Sequence, residues 1–119
     1  MKVSFIYDVG AYLETLDMVE RMEATMFVPA HADAAADVKE LVRYNRDKVQ
    51  SIAEKILSIC KEPICFERIL QEVFKVYGLS MNFEQHVLVG STVRSYLSWL
   101  KDTGKLSAGF QDNILLWQK

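Results

Sequence analysis

The chain is poor in the side chains from which reactive centres are built: two histidines, His31 and His86, and two cysteines, Cys60 and Cys65, stand among 119 residues. Cys60 and Cys65 have no second pair beside them, so a four-ligand zinc site cannot be drawn from the cysteines. They read as reduced thiols in apolar surroundings, in preference to a disulfide. His86, among Phe83, Val87 and Val89, reads as a packed or half-exposed ring. His31 stands in the turn opened by Pro29, where a lone histidine by itself is a surface or capping side chain. No glycine-rich phosphate loop is present, and no spacing favours a Ser-His-Asp arrangement. Trp99 and Trp117 lack a cationic cluster and read as core or interface anchors, not as a base-stacking platform.

The elements that must position these residues follow from apolar spacing. Val3 to Tyr7 reads as a short strand ended by Asp8. Asp8 then caps a helix whose Val9, Tyr12, Leu13, Leu16, Val19 and Met22 share one face, opposite Glu14, Asp17, Glu20, Arg21 and Glu23. Thr25 to Val28 is a second β-favouring run, closed by Pro29. A long helix comes next, from Asp33 to Cys60, with Val38, Leu41, Val42, Val49, Ile52, Ala53, Ile56, Ile59 and Cys60 as its buried stripe. Asp33 is its expected cap, Asp37 and Glu40 have capping-box spacing, and Pro63 is its stop. The front of the chain therefore reads strand, helix, strand, helix.

That order, with Tyr7-Asp8, Tyr12-Leu13 to Leu16 and Met26-Phe27-Val28-Pro29-Ala30-His31, resembles the last portion of the metallo-β-lactamase superfamily of hydrolases. In that family a strand ends in a Pro-small-His-small turn, and the resemblance makes His31 a metal ligand of an intact parent, with Ala32 where glycine is usual. The family's principal His- and Asp-rich metal motif is absent. A hydrolytic zinc centre needs at least three protein ligands around an open position, so this chain alone is expected to be non-catalytic and without cofactor. The zinc or other divalent metal pair would belong to the parent. Residues 1–45 are read as the remnant of the hydrolase domain, and the rest of that domain as a partner.

Past Asn45, Arg46, Asp47, Lys48, Glu54 and Lys55 are expected on the outer face of the long helix. Pro63 to Phe66 reads as a short extended piece. Glu67 to Tyr77 is a helix burying Ile69, Leu70, Val73, Phe74 and Val76, stopped by Gly78. A third helix lies within Asn82 to Thr103, its regular part expected from Ser91 because Gly90 costs about 1 kcal/mol against alanine. Lys105 to Ala108 and Ile114 to Trp117 flank residues 109–113 as a β-hairpin. Three helices followed by a hairpin, with Ser91-Thr92-Val93-Arg94-Ser95-Tyr96-Leu97 to Leu100 and Asp102-Thr103-Gly104-Lys105-Leu106, resemble the winged-helix domain over residues 46–119. The expected class is thus mainly α, of the α+β kind, with a long connecting helix between the two parts.

The alternative function is a winged-helix transcriptional regulator that binds DNA through the third helix, with Thr92, Arg94, Ser95, Ser98 and Lys101 outward. Charge weighs against it. Residues 1–45 carry four basic and eight acidic side chains and residues 46–119 carry ten and eight, so no strong basic excess marks a phosphate surface. The expected wing tip has no Lys or Arg and contains Asp112. A packing or protein-interaction domain is the leading reading. No apolar run approaches a membrane span and no secretory leader is evident, so the expected address is cytoplasmic. The apolar face of Tyr12, Leu16, Val19 and Met22, without its neighbours in a parent, makes a homo-oligomer, such as a dimer, the expected state.

Overall fold

The computed structural model describes residues 8–25 and 32–119. In chain order the elements are α1 Val9–Thr25, α2 Ala32–Ile59, β1 Ile64–Cys65, α3 Phe66–Tyr77, α4 Phe83–Asp102, β2 Ser107–Gln111 and β3 Ile114–Gln118. The described chain is mainly helical with one small antiparallel sheet, an α+β arrangement. The expected strand at Val3 to Tyr7, the run Met26 to Val28 and the turn carrying His31 lie outside the described residues. Thr25, expected to open the second strand, is instead the last residue of α1.

α1 begins where a short carboxylate can serve its free amides: Asp8 Oδ1 accepts the Ala11 N–H at 3.0 Å, satisfying one of the unpaired donors of the first turn. Val9 is fully buried and Leu16 nearly so, so this face has neighbours within the chain. α2 starts at Ala32, which places Asp33 inside the helix and not at its cap. Among its described side chains, residues 39–59, the buried stripe is Val42, Val49, Ile52, Ala53 and Ile56, with Cys60 just beyond the helix end; the side chain of Val38, expected in the same stripe, lies outside those described. Leu41, expected in that stripe, is 60% exposed. It lies about 100° round the helix from Val42, at an edge that no element covers among the described residues.

Arg46 is also not the free outer-face side chain that its polarity suggests. Its guanidinium forks between α1 carboxylates, Nη2 to Asp17 Oδ1 and Nη1 to Glu20 Oε2, the latter at 2.6 Å. The hydrogen bond to Glu20 is the main influence raising the already high guanidinium pKa. This fork ties the two helices across solvent-facing ground.

Ile69, Leu70, Val73 and Phe74 of α3 are buried, whereas Val76 is 49% exposed because it falls off that stripe. Gly78 ends the helix in the left-handed region at φ 64, and Leu79 N–H reaches back to the Phe74 carbonyl at 2.9 Å. This is the wrapped C-terminus that glycine permits without Cβ strain. α4 begins at Phe83, eight residues before the expected regular part: Asn82 accepts the Gln85 N–H at 2.8 Å, and the cap offsets the propensity cost of Gly90.

The sheet order is β1-β3-β2. β1 pairs with β3 through Ile64 with Trp117 and Cys65 with Leu116, so the short piece after α2 holds the last strand of the hairpin. Gln111 pairs with Ile114, and Asp112 and Asn113 between them have φ 51 and 64. The connection is therefore a two-residue turn of the type I′ kind, with Gly109, Phe110 and Gln111 in β2 and not in a loop of residues 109–113.

One core joins Val9 of α1 with Val49, Ile52 and Ile56 of α2, Ile69, Leu70 and Val73 of α3, Val93, Tyr96, Leu97 and Leu100 of α4, and Leu106. Each such aliphatic side chain contributes about 1.5–3 kcal/mol relative to exposure. Cys60 is buried and free, and Cys65 is half-buried and free.

Candidate functional site

α4 carries the residues on which a functional surface would be built. Steps of four, four, three, four and three residues place Phe83, Val87, Ser91, Arg94, Ser98 and Lys101 along one stripe of the helix. The opposite face holds Val89, Val93, Tyr96, Leu97 and Leu100 in the core, which fixes the direction of the stripe. Its two halves differ in chemistry. The N-terminal half is apolar, with Phe83 86% and Val87 50% exposed, beside exposed Leu88 and Met81. The C-terminal half is polar and basic.

The sequence-derived nucleic-acid residues separate on this helix. Arg94, Ser98 and Lys101 are exposed. Thr92 is 1% exposed, and its hydroxyl donates to the Leu88 carbonyl at 3.3 Å. Ser95 is 9% exposed, and its Oγ accepts the Val9 N–H at 2.9 Å. Both were expected to face outward. Ser95 faces inward because the start of α1 packs there and uses its hydroxyl to satisfy a first-turn amide, and Thr92 is buried with its hydroxyl turned back on its own helix. Arg94 is partly committed as well: its guanidinium carbon sits 4.3 Å from the centroid of the Phe66 ring, a cation–π contact.

Between the start of α1 and α4 is an open cleft of about 430 Å³ lined by Asp8, Gly10, Ser91, Arg94, Ser95, Ser98, Trp99 and Asp102. Two carboxylates and one guanidinium give it no positive excess for a phosphate. His86 lies away from this cleft, with Nε2 3.0 Å from Glu67 Oε1 and 3.2 Å from Oε2, so it bridges α3 and α4. His31 lies outside the described residues. Among the described residues no group of three or more His, Cys, Asp or Glu side chains could hold a metal ion, so these residues do not fit a hydrolytic metal pair. No helix among them is long and apolar enough to cross a membrane.

The apolar half of the stripe escapes a reading that starts the helix at Ser91. Its signal was present, since Asn82 followed three residues later by Gln85 has N-cap box spacing, and it puts Phe83 at the first helical position. No protein family, curated protein or solved structure matches the chain.

Proposed function

We propose that residues 46–119 form a winged-helix-like accessory domain used for packing or protein interaction, and that the chain is the non-catalytic C-terminal part of a metallo-β-lactamase-like, metal-dependent hydrolase. The connectivity helix, strand, helix, helix, hairpin, with the first strand pairing to the last, supports the winged-helix likeness. The hydrolase assignment rests on the sequence resemblance around His31. The observation that carries the packing role is the exposed apolar start of α4, Phe83 and Val87. In helix-turn-helix relatives that read DNA, the N-terminal residues of the recognition helix contact base edges, and phenylalanine and valine offer a base edge no hydrogen bond. The same side chains are suited to an apolar partner surface.

The experiment has two arms. The genomic reading frame upstream of Met1 should encode the His- and Asp-rich metal motif; a stop codon directly upstream would sink the hydrolase assignment. In the second arm, zinc is titrated calorimetrically into the purified chain. Weak binding at most is expected, and a submicromolar one-to-one site abolished by His31→Ala would contradict a non-catalytic chain that needs the parent's ligands.

A further inference from the structure

The sheet order leaves the outer side of β2 without a neighbour among the described residues. The two-residue turn closes on the pair Gln111 and Ile114, which in such hairpins exchanges both backbone hydrogen bonds. Alternation from that pair turns the backbone groups of Gly109 and Ser107 toward β3. The N–H and C=O groups of Ala108 and Phe110 then point to the free edge. Protein edges are usually protected by lysine, proline or a bulge, and Ser107-Ala108-Gly109-Phe110-Gln111 contains no charged residue and no proline.

We propose that this edge pairs antiparallel with β2 of a second copy, across a two-fold axis at Gly109. A two-fold places Ala108 opposite the other copy's Phe110 and Phe110 opposite its Ala108, because these positions are equidistant from Gly109. Both are outward-bonding positions, so each pair exchanges two main-chain hydrogen bonds and the edge is satisfied by itself. Phe110, 78% exposed in one chain, then lies against the small Ala108 of the other. Gly109 faces Gly109, and no atom lies within 4 Å of where its Cβ would be. Charge selects the same arrangement: Lys105 precedes the strand and Asp112 follows it, and antiparallel pairing brings opposite signs together at both ends. A β2 edge in parallel pairing would set like charges side by side. The proposal is independent of the hydrolase assignment.

Gly109→Cys tests the axis directly. The residue is not in the positive-φ region, so a side chain is tolerated, and a disulfide needs Cα atoms within about 7 Å. Under mild oxidation Gly109→Cys should form a covalent dimer, while Gln111→Cys, placed opposite Ser107, and the unsubstituted chain with Cys60 and Cys65 should not. Sedimentation equilibrium of the unsubstituted chain should give twice 13.7 kDa. Phe110→Lys, on an exposed side chain, and Ala108→Pro, which removes only an outward N–H, should each raise the dimer dissociation constant at least tenfold with an unchanged far-UV circular dichroism spectrum. A monomer at all concentrations, equal cross-linking at Gln111→Cys, or a dimer untouched by both edge substitutions in folded protein would overturn the proposal.

Discussion

Tyr96 shows how a single buried group can work against the fold it occupies. Its side chain is fully buried, and its hydroxyl has no hydrogen-bond partner among the described residues. Burial, then the nearby Tyr77 and Tyr12, pushes its pKa well above the usual phenol range. A buried hydroxyl without a partner costs free energy that a phenyl ring does not. Tyr96→Phe is expected to leave stability unchanged or raise it by about 1 kcal/mol in urea unfolding; a loss above that size would mean the hydroxyl is satisfied. Cys60 gives the chain an alkaline limit. Burial moves its thiol from an ordinary 9.0 to about 11, so the native state holds this proton to higher pH than the unfolded chain does. The stability it contributes is complete below pH 9 and is lost as pH rises through about 11, with a slope up to about 1.4 kcal/mol per pH unit. Burial shifts Tyr77 and Tyr96 in the same direction, and they steepen the fall. Cys60→Ala should make the decline between pH 9 and 11 shallower in unfolding titrations, and an unchanged slope would exclude the thiol as its source.

At the scale of the elements, two glycines of similar appearance in sequence have opposite roles. Gly78 ends α3 at φ 64 with open space around it, so only the backbone conformation resists a side chain. Gly78→Ala should cost about 1 kcal/mol. Gly90 lies inside α4, where an added Cβ would meet the Phe66 ring at 3.5 Å, an ordinary contact. Gly90→Ala should stabilise by about 0.5–1 kcal/mol, and thermal unfolding of both variants checks the pair. Gly78 was legible in the sequence because it follows a helix with a clear apolar stripe. Gly90 misled, since propensity alone delayed α4 to Ser91 while the Asn82 cap and the burial of Val89 and Val93 carry the helix through it. The hairpin was legible as two β runs, but its turn was not: Asp112 and Asn113 adopt positive φ, a conformation that Asp and Asn tolerate and that glycine advertises more plainly. The fork from Arg46 to Asp17 and Glu20 was hidden because each residue, read on its own helix, belongs to a polar face.

For the whole molecule, the proposed function turns on what α4 presents. Periodicity alone made Thr92 and Ser95 outward candidates; the packing of α1 against α4, which no local pattern encodes, turns Ser95 inward to the Val9 amide. What remains exposed is an apolar half, Phe83 and Val87, and a basic half, Arg94 and Lys101, and the hairpin turn, with Asp112 and no Lys or Arg, adds no attraction to phosphate. Counterion release gives DNA affinity a slope of about −0.9 per phosphate contact against log salt, and two or three cations per chain supply little of it. The deciding measurement is fluorescence anisotropy of the chain against a random duplex pool at two salt concentrations, with selection for enriched sites and with the double variant Arg94→Glu, Lys101→Glu in parallel. The expected result is no sequence-selective binding in physiological salt, and a double variant that keeps its fold because both side chains lie on the exposed stripe. Nanomolar, sequence-selective binding that disappears in the double variant would contradict the packing role and establish α4 as a recognition helix.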